Sequence, residues 1–177
     1  MLLEEDRVNH LREMQKKMGL AIKQGVPAEK FLNNLTACAE QVQNLHMRVQ
    51  VRDYEIHVDE PAPMGGDGFA PSPLETLLAA VAGCTETTWV LASSIFDLAV
   101  DNVEVKVEGS IDRRYMQDPS VPARLQSIRI TSRVTTSEPQ EKMEIIHGKL
   151  QQMFPVAGSL SADIEKEFLL EVIPPNE

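Results

Sequence analysis

Residues 72–99 constrain the fold more than any other stretch of this chain. Ser72-Pro73-Leu74-Glu75 has the form of a helix start. Ser72 suits the N-cap, and Pro73 suits the first helical position, where no amide hydrogen is needed. Glu75 takes the third position, from which a carboxylate can reach back to the capping residue. The run that follows, LLAAVAGCTETTWVLASSIFDLA, is apolar on nearly every side from Leu77 to Gly83. A helix without a polar face is buried. Gly83 within it costs about 1 kcal/mol against alanine. The usual return for that cost is the close approach of another backbone, as when a second helix packs at Cys84.

The segments on either side have a different period. Met47, Val49 and Val51 alternate with Arg48, Gln50 and Arg52, and Tyr54, Ile56 and Val58 alternate with Glu55, His57 and Asp59. This predicts a half-buried strand, or two strands joined at Arg52-Asp53. Residues 61–68 (PAPMGGDG) read as a loop. After the helix, Val103, Val105 and Val107 form one strand pattern. Ile128, Ile130 and Val134 form another, with Leu125 out of step, which suggests a bulge nearby. Ser137 with Gln140 resembles a second capping box, opening a helix that carries Met143, Ile146, Leu150 and Met153 and ends at Pro155. Residues 159–164 allow a short helical turn, and Phe168–Ile173 reads as the last strand. Strands come in adjacent pairs with helices between the pairs, so the fold class is α+β.

Residues 1–45 predict a helical hairpin. Leu11, Met14, Met18 and Ile22 recur at helical spacing, Gly25 stops the helix, and Pro27 starts a second. On that second helix Phe31, Leu35, Cys38 and Val42 share a stripe. The expected organisation is an N-terminal helical extension over 1–45 and a domain over 46–177.

The formal net charge of −10 argues against binding to nucleic acid or to anionic membrane surfaces. Acidic residues stand where a signal peptide would be basic, and no stretch approaches the roughly 18 apolar residues of a membrane span, so the expected location is cytoplasmic. The two cysteines, Cys38 and Cys84, form no CxxC pair and no ligand set with the four histidines. No metal site and no bound cofactor are expected.

VDEPAPMGG at 58–66, followed by PSPLETLLAAVAGC at 71–84, resembles the OsmC-like proteins, which include the organic hydroperoxide resistance proteins. The resemblance runs over roughly residues 46–173. It implies an intertwined homodimer, with long central helices packed between antiparallel sheets. For the best-known members it also implies hydroperoxide reduction by two cysteines. The first, matching Cys84, attacks the peroxide as a thiolate. The second, just before a Pro-Val turn, resolves the sulfenic acid. An arginine and a glutamate prepare the thiolate. This chain departs from that pattern. Phe154 precedes Pro155-Val156, so the matching resolving thiol is gone, and the acid near the helix start is Glu75, one step later than in the peroxidases. No motif places the arginine; Arg48 and Arg52 are on the correct side by order alone.

Cys84 is thus the candidate peroxidatic thiol, against the alternative of a small apolar residue in a buried helix. Thr85, Thr87 and Thr88 are near enough in sequence to offer hydroxyls to its sulfur. Glu75 has two readings, as the capping acid and as an acid pairing with an arginine. Cys38 reads as core filler, or as a substitute resolving thiol supplied by the N-terminal extension. His10, His46, His57 and His147 read as solvated or structural. Two functions follow. One is a thiol-dependent hydroperoxide reductase that uses an external thiol or dithiol reductant. The other is a non-catalytic homodimer that binds a small apolar or thiol-reactive ligand at its interface.

Overall fold

The computed structural model describes residues 2–175. Among the described residues, four α-helices and six strands follow in the order α1 (Glu5–Lys23), β1 (Cys38–Gln43), β2 (His46–Val51), β3 (Tyr54–Val58), α2 (Pro73–Ile95), β4 (Val100–Ile111), β5 (Leu125–Thr136), α3 (Gln140–Leu150), α4 (Pro155–Gly158) and β6 (Glu165–Ile173). The α+β reading holds. The chain divides into two compact units, residues 16–77 and residues 1–15 with 78–177.

The smaller unit is built on a three-stranded antiparallel sheet in the order β1-β2-β3. The joint at Arg52-Asp53 is a tight hairpin turn, with Arg52 at a positive φ of 55°. The expected second N-terminal helix is not there. Ala28–Phe31 forms one 3-10 turn, and Cys38–Gln43 is a strand that pairs with β2 across a turn at Asn44, whose φ is 47°. Asparagine tolerates the left-handed region better than most residues. Every residue of β1 is exposed, so no apolar pattern marked it as a strand. The sheet therefore begins at Cys38 and crosses the boundary expected at 45/46.

The capping box of α2 forms as predicted. The Ser72 amide donates to Glu75 Oε2 at 2.7 Å, and the Glu75 amide donates to Ser72 Oγ at 3.3 Å. Before it, the loop folds around Asp59. This fully buried carboxylate accepts the amides of Glu60 (2.8 Å), Asp67 (3.2 Å) and Phe69 (3.0 Å). Those bonds, the one from Phe69 above all, hold its pKa below the ordinary carboxylate value. A Cβ at Gly66 would lie 1.8 Å from the Glu60 carbonyl oxygen, so only glycine fits there.

The larger unit has a sheet in the order β4-β5-β6. β4 and β5 are antiparallel, but β5 and β6 are parallel, so the expectation of purely antiparallel sheets is corrected. A parallel pair needs a crossover, and α3 with α4 supplies it. Leu125 is brought into step by a register shift between Ser110 and Ile111, where the bulge was expected. As a result Leu125, Ile128, Ile130 and Val134 are all buried, while Arg129 and Arg133 point outward to Glu167 and Glu171. Val81 and Trp89 of α2, Met143 and Leu150 of α3, and Phe154 complete this core.

The second capping box, Ser137 with Gln140, does not form: Pro139 is the N-cap, and its side chain has no acceptor for the helix amides. Glu138 anchors the turn instead, accepting the Ala99 amide at 3.0 Å and Lys142 at 2.7 Å. A carboxylate one residue earlier thus serves the corner where α3 meets the start of β4. The late helical turn lies at Pro155–Gly158 rather than at 159–164, because proline suits a first helical position. At 23 residues α2 is also long and apolar enough, by composition alone, to cross a membrane, which corrects the expectation that no stretch approaches a span. A buried core helix has the same composition.

Candidate functional site

α2 carries Cys84 with its side chain half-buried. Along the helix Val81, Thr85, Trp89 and Ala92 recur at 3–4-residue spacing and form the buried side. Ala79, Ala80 and Gly83 lie on the exposed side, and Cys84 lies between the two. No described atom comes within 4 Å of a Cβ built at Gly83, so the close backbone approach expected there is not made within one chain.

The thiol opens on a cleft of about 420 Å³. Its floor and walls include Thr87, Thr88, Leu91, Phe96, Met153 and Pro155. None of the residues lining it carries a charge. The threonines do not serve the sulfur as expected. Thr88 Oγ1 donates to the Cys84 carbonyl at 2.9 Å, and the Thr85 hydroxyl is on the buried side of α2 without a hydrogen-bond partner among the described residues.

The residue in the resolving position is a core residue. Phe154 is 2% exposed and stacks on Phe168 with ring centroids 5.9 Å apart. Its neighbours Met153 and Pro155 both border the cleft, so the segment still shapes the site without supplying a thiol. Cys38 is not core filler on a helix. It is exposed on β1 and shares the polar face of its sheet with Glu40, Arg48, Gln50 and Glu55. Arg48 is paired with Glu40 and, at 3.8 Å, with Glu55, and Arg52 lies 5.2 Å over the Tyr54 ring. Glu75 is bonded to Ser72 through amide and hydroxyl, which lowers its pKa. No arginine pairs with it among the described residues.

Two arrangements of histidine were not anticipated. In the smaller unit His46 Nε2 lies 2.7 Å from His57 Nδ1, and His57 Nε2 lies 2.9 Å from Glu55 Oε1, with Phe69 packed against both rings. The β2–β3 hairpin register brings them together, and that register was readable once the Arg52-Asp53 turn was fixed. In the larger unit His147 is buried, stacks on Trp89 at 5.9 Å, and has no partner for Nε2. Burial pushes its pKa below the ordinary histidine value. A depressed histidine pKa means that the unfolded chain takes up the proton first as pH falls. Its contribution to stability is complete above about pH 6.5 and is lost below it, at up to about 1.4 kcal/mol per pH unit. Denaturant unfolding between pH 7 and 5 should show this decline, and His147→Gln should flatten it; an unchanged profile in the variant would count against the assignment.

Residues 65–168 match the family model described as OsmC-like protein, which spans α2 and Cys84 and covers more than half of the chain. No curated protein matches at a significant level. Among solved structures, an OsmC-like protein from Mycoplasma pneumoniae is 14% identical, with a TM-score of 0.67 over 80% of this chain and 97% of that one. An organic hydroperoxide resistance protein OsmC from Legionella pneumophila is 17% identical, with a TM-score of 0.62 over 79% and 98%. An organic hydroperoxide resistance protein from Elizabethkingia anophelis, with thiocyanate bound, is 17% identical, with a TM-score of 0.63 over 79% and 96%. At these identities the likeness is one of fold.

Proposed function

Because the chain belongs to the OsmC-like protein family, we propose that it is a stress-response redox protein that reduces hydroperoxides through one thiol, Cys84. The observation that carries this reading is the position of Cys84, on the family's matched helix and facing an open, uncharged cleft of about 420 Å³. A buried structural cysteine would have no such access.

The reaction balances without a second protein thiol. The Cys84 thiolate attacks the terminal peroxide oxygen. The O–O bond breaks and the alkoxide leaves, taking up a proton to become an alcohol. Cys84 is left as the sulfenic acid. One sulfur of an external dithiol then attacks that sulfenic sulfur and water departs. The second sulfur of the dithiol displaces Cys84, restoring the thiol and closing a cyclic disulfide on the reductant. A dithiol is favoured because its second step is intramolecular. Glu75 contributes by fixing the start of α2.

The same reading extends to a homodimer. The smaller unit keeps only His46, Val58 and Asp59 buried in a single chain, while Tyr54 and Ile56, on the sheet face opposite Arg48 and Glu55, stay exposed. An apolar sheet face with so little core calls for another surface to cover it. A second copy is the covering the family implies. A cytoplasmic location suits two cysteines kept as free thiols.

The experiment is consumption of an organic hydroperoxide with a lipoyl-type dithiol or with a monothiol as reductant. Turnover above buffer background, faster with the dithiol, is the expected result. Background rates with both reductants would leave the other reading, a dimer that binds a small apolar ligand, which the uncharged lining and the buried Phe154 favour.

A further inference from the structure

The first turns of α1 belong to the same compact unit as Cys84, although they lie outside the residues that the family model matches. Two contacts hold them. Val8 is 3% exposed, which makes it the buried residue of α1. One turn further on, Arg12 Nη2 donates to Asp97 Oδ1 at 2.5 Å and to the Ser94 carbonyl at 3.3 Å. Ser94 is in the last turn of α2, where backbone carbonyls lack intrahelical partners and a cation is favoured. Arg12 therefore ties α1 to the C-terminal end of the helix that carries the thiol. One turn beyond Arg12, Gln15 reaches the cleft and lines it together with Cys84, Thr87 and Thr88. Its side-chain amide makes no hydrogen bond to any described residue. Besides the Thr87 hydroxyl, the remaining lining is aliphatic, aromatic or thioether, and Thr88 has already committed its proton to the Cys84 carbonyl.

We propose that Gln15 is a specificity-determining residue of the Cys84 cleft: from α1 it offers an uncharged amide donor to the polar end of a small, neutral, largely apolar ligand. This rests on Cys84 being the reacting thiol of the proposed function. It goes beyond that reading in naming which group recognises the ligand and what charge the ligand carries. An amide favours a hydroperoxyl or carbonyl oxygen over a carboxylate, because no cation in the lining offsets the desolvation of a negative charge.

The test uses two alkylating probes of similar size, neutral iodoacetamide and anionic iodoacetate, on the full-length Cys38→Ser protein, so that Cys84 alone reports. The ratio of the two rates is the readout. Both reagents meet the same thiolate, so a change in thiolate fraction cancels. Gln15 is exposed, and circular dichroism checks that each variant folds. Gln15→Glu is expected to lower the iodoacetate rate relative to iodoacetamide about threefold to fivefold, and Gln15→Lys to raise it by a similar factor, as one unit charge a few ångströms away in a wet cleft would do. A ratio unmoved in both variants, with Cys84 still reactive, would overturn the assignment of Gln15 and leave the thiol reading standing. No reaction of Cys84 with either probe in any variant would overturn both.

Discussion

Cys84→Ser is expected to bring hydroperoxide consumption down to the rate of buffer and reductant alone, while Cys38→Ser keeps the wild-type rate. A serine hydroxyl stays protonated at neutral pH and has no base in this uncharged cleft to activate it, so the whole protein-dependent rate should vanish. The cost to the fold is small, since Cys84 is only half-buried and serine is close in volume. Cys38 is placed differently. It stands exposed on the polar face of β1–β3, where Arg48 is already shared by Glu40 and Glu55. Steady-state peroxide assays on both variants check this. Equal loss in the two would make Cys38 a working partner of Cys84, contrary to the single-thiol cycle.

The second large effect concerns assembly. The wild-type chain, 19.7 kDa, is expected to sediment at twice that mass. Gly83→Glu should release monomer or yield insoluble protein. Ala79, Ala80 and Gly83 are exposed small residues on α2, and no described atom lies within 4 Å of a Cβ built at Gly83, which also borders the Cys84 cleft. A glutamate there would bring a charge into a close-packed apolar seam, and an uncompensated buried charge costs about 3–5 kcal/mol. That is a large part of the stability of a domain of this size. In solution the same residue on a single exposed helix would instead stabilise it by roughly half a kcal/mol relative to glycine. The contrast separates the cases. Sedimentation at 19.7 kDa for the wild type, or a soluble dimer for Gly83→Glu, would remove the seam from α2.

Much of the larger unit was legible in the residues. The Ser72–Glu75 capping box, the start of α2, the bulge near Leu125 and the alternation of β5 all follow from local rules that burial then reinforces. Where reading failed, burial was absent or the partner was distant. Phe31, Leu35, Cys38 and Val42 share a helical stripe, yet all four are exposed, and β1 forms because the turn at Asn44 offers it the edge of β2. The parallel pairing of β5 with β6 depends on a crossover through α3 and α4, which no pattern within either strand records. For the site, the family motif pointed to Cys84 and the lost thiol at Phe154, and Phe154 proves to be core. Gln15 was invisible because nothing in a polar residue 69 positions upstream of Cys84 indicates a shared cleft. His46 and His57 looked scattered because their contact is set by hairpin register rather than spacing.

The most direct measurement is peptide mass spectrometry after brief exposure to an organic hydroperoxide in the presence of a dimedone-type sulfenic acid trap. The expected result is an adduct on Cys84, suppressed when a dithiol is supplied together with the peroxide, and little or none on Cys38. An unmodified Cys84 at peroxide concentrations that oxidise a free thiol in the same tube would contradict it, because the open cleft would then hold a sulfur that does no chemistry.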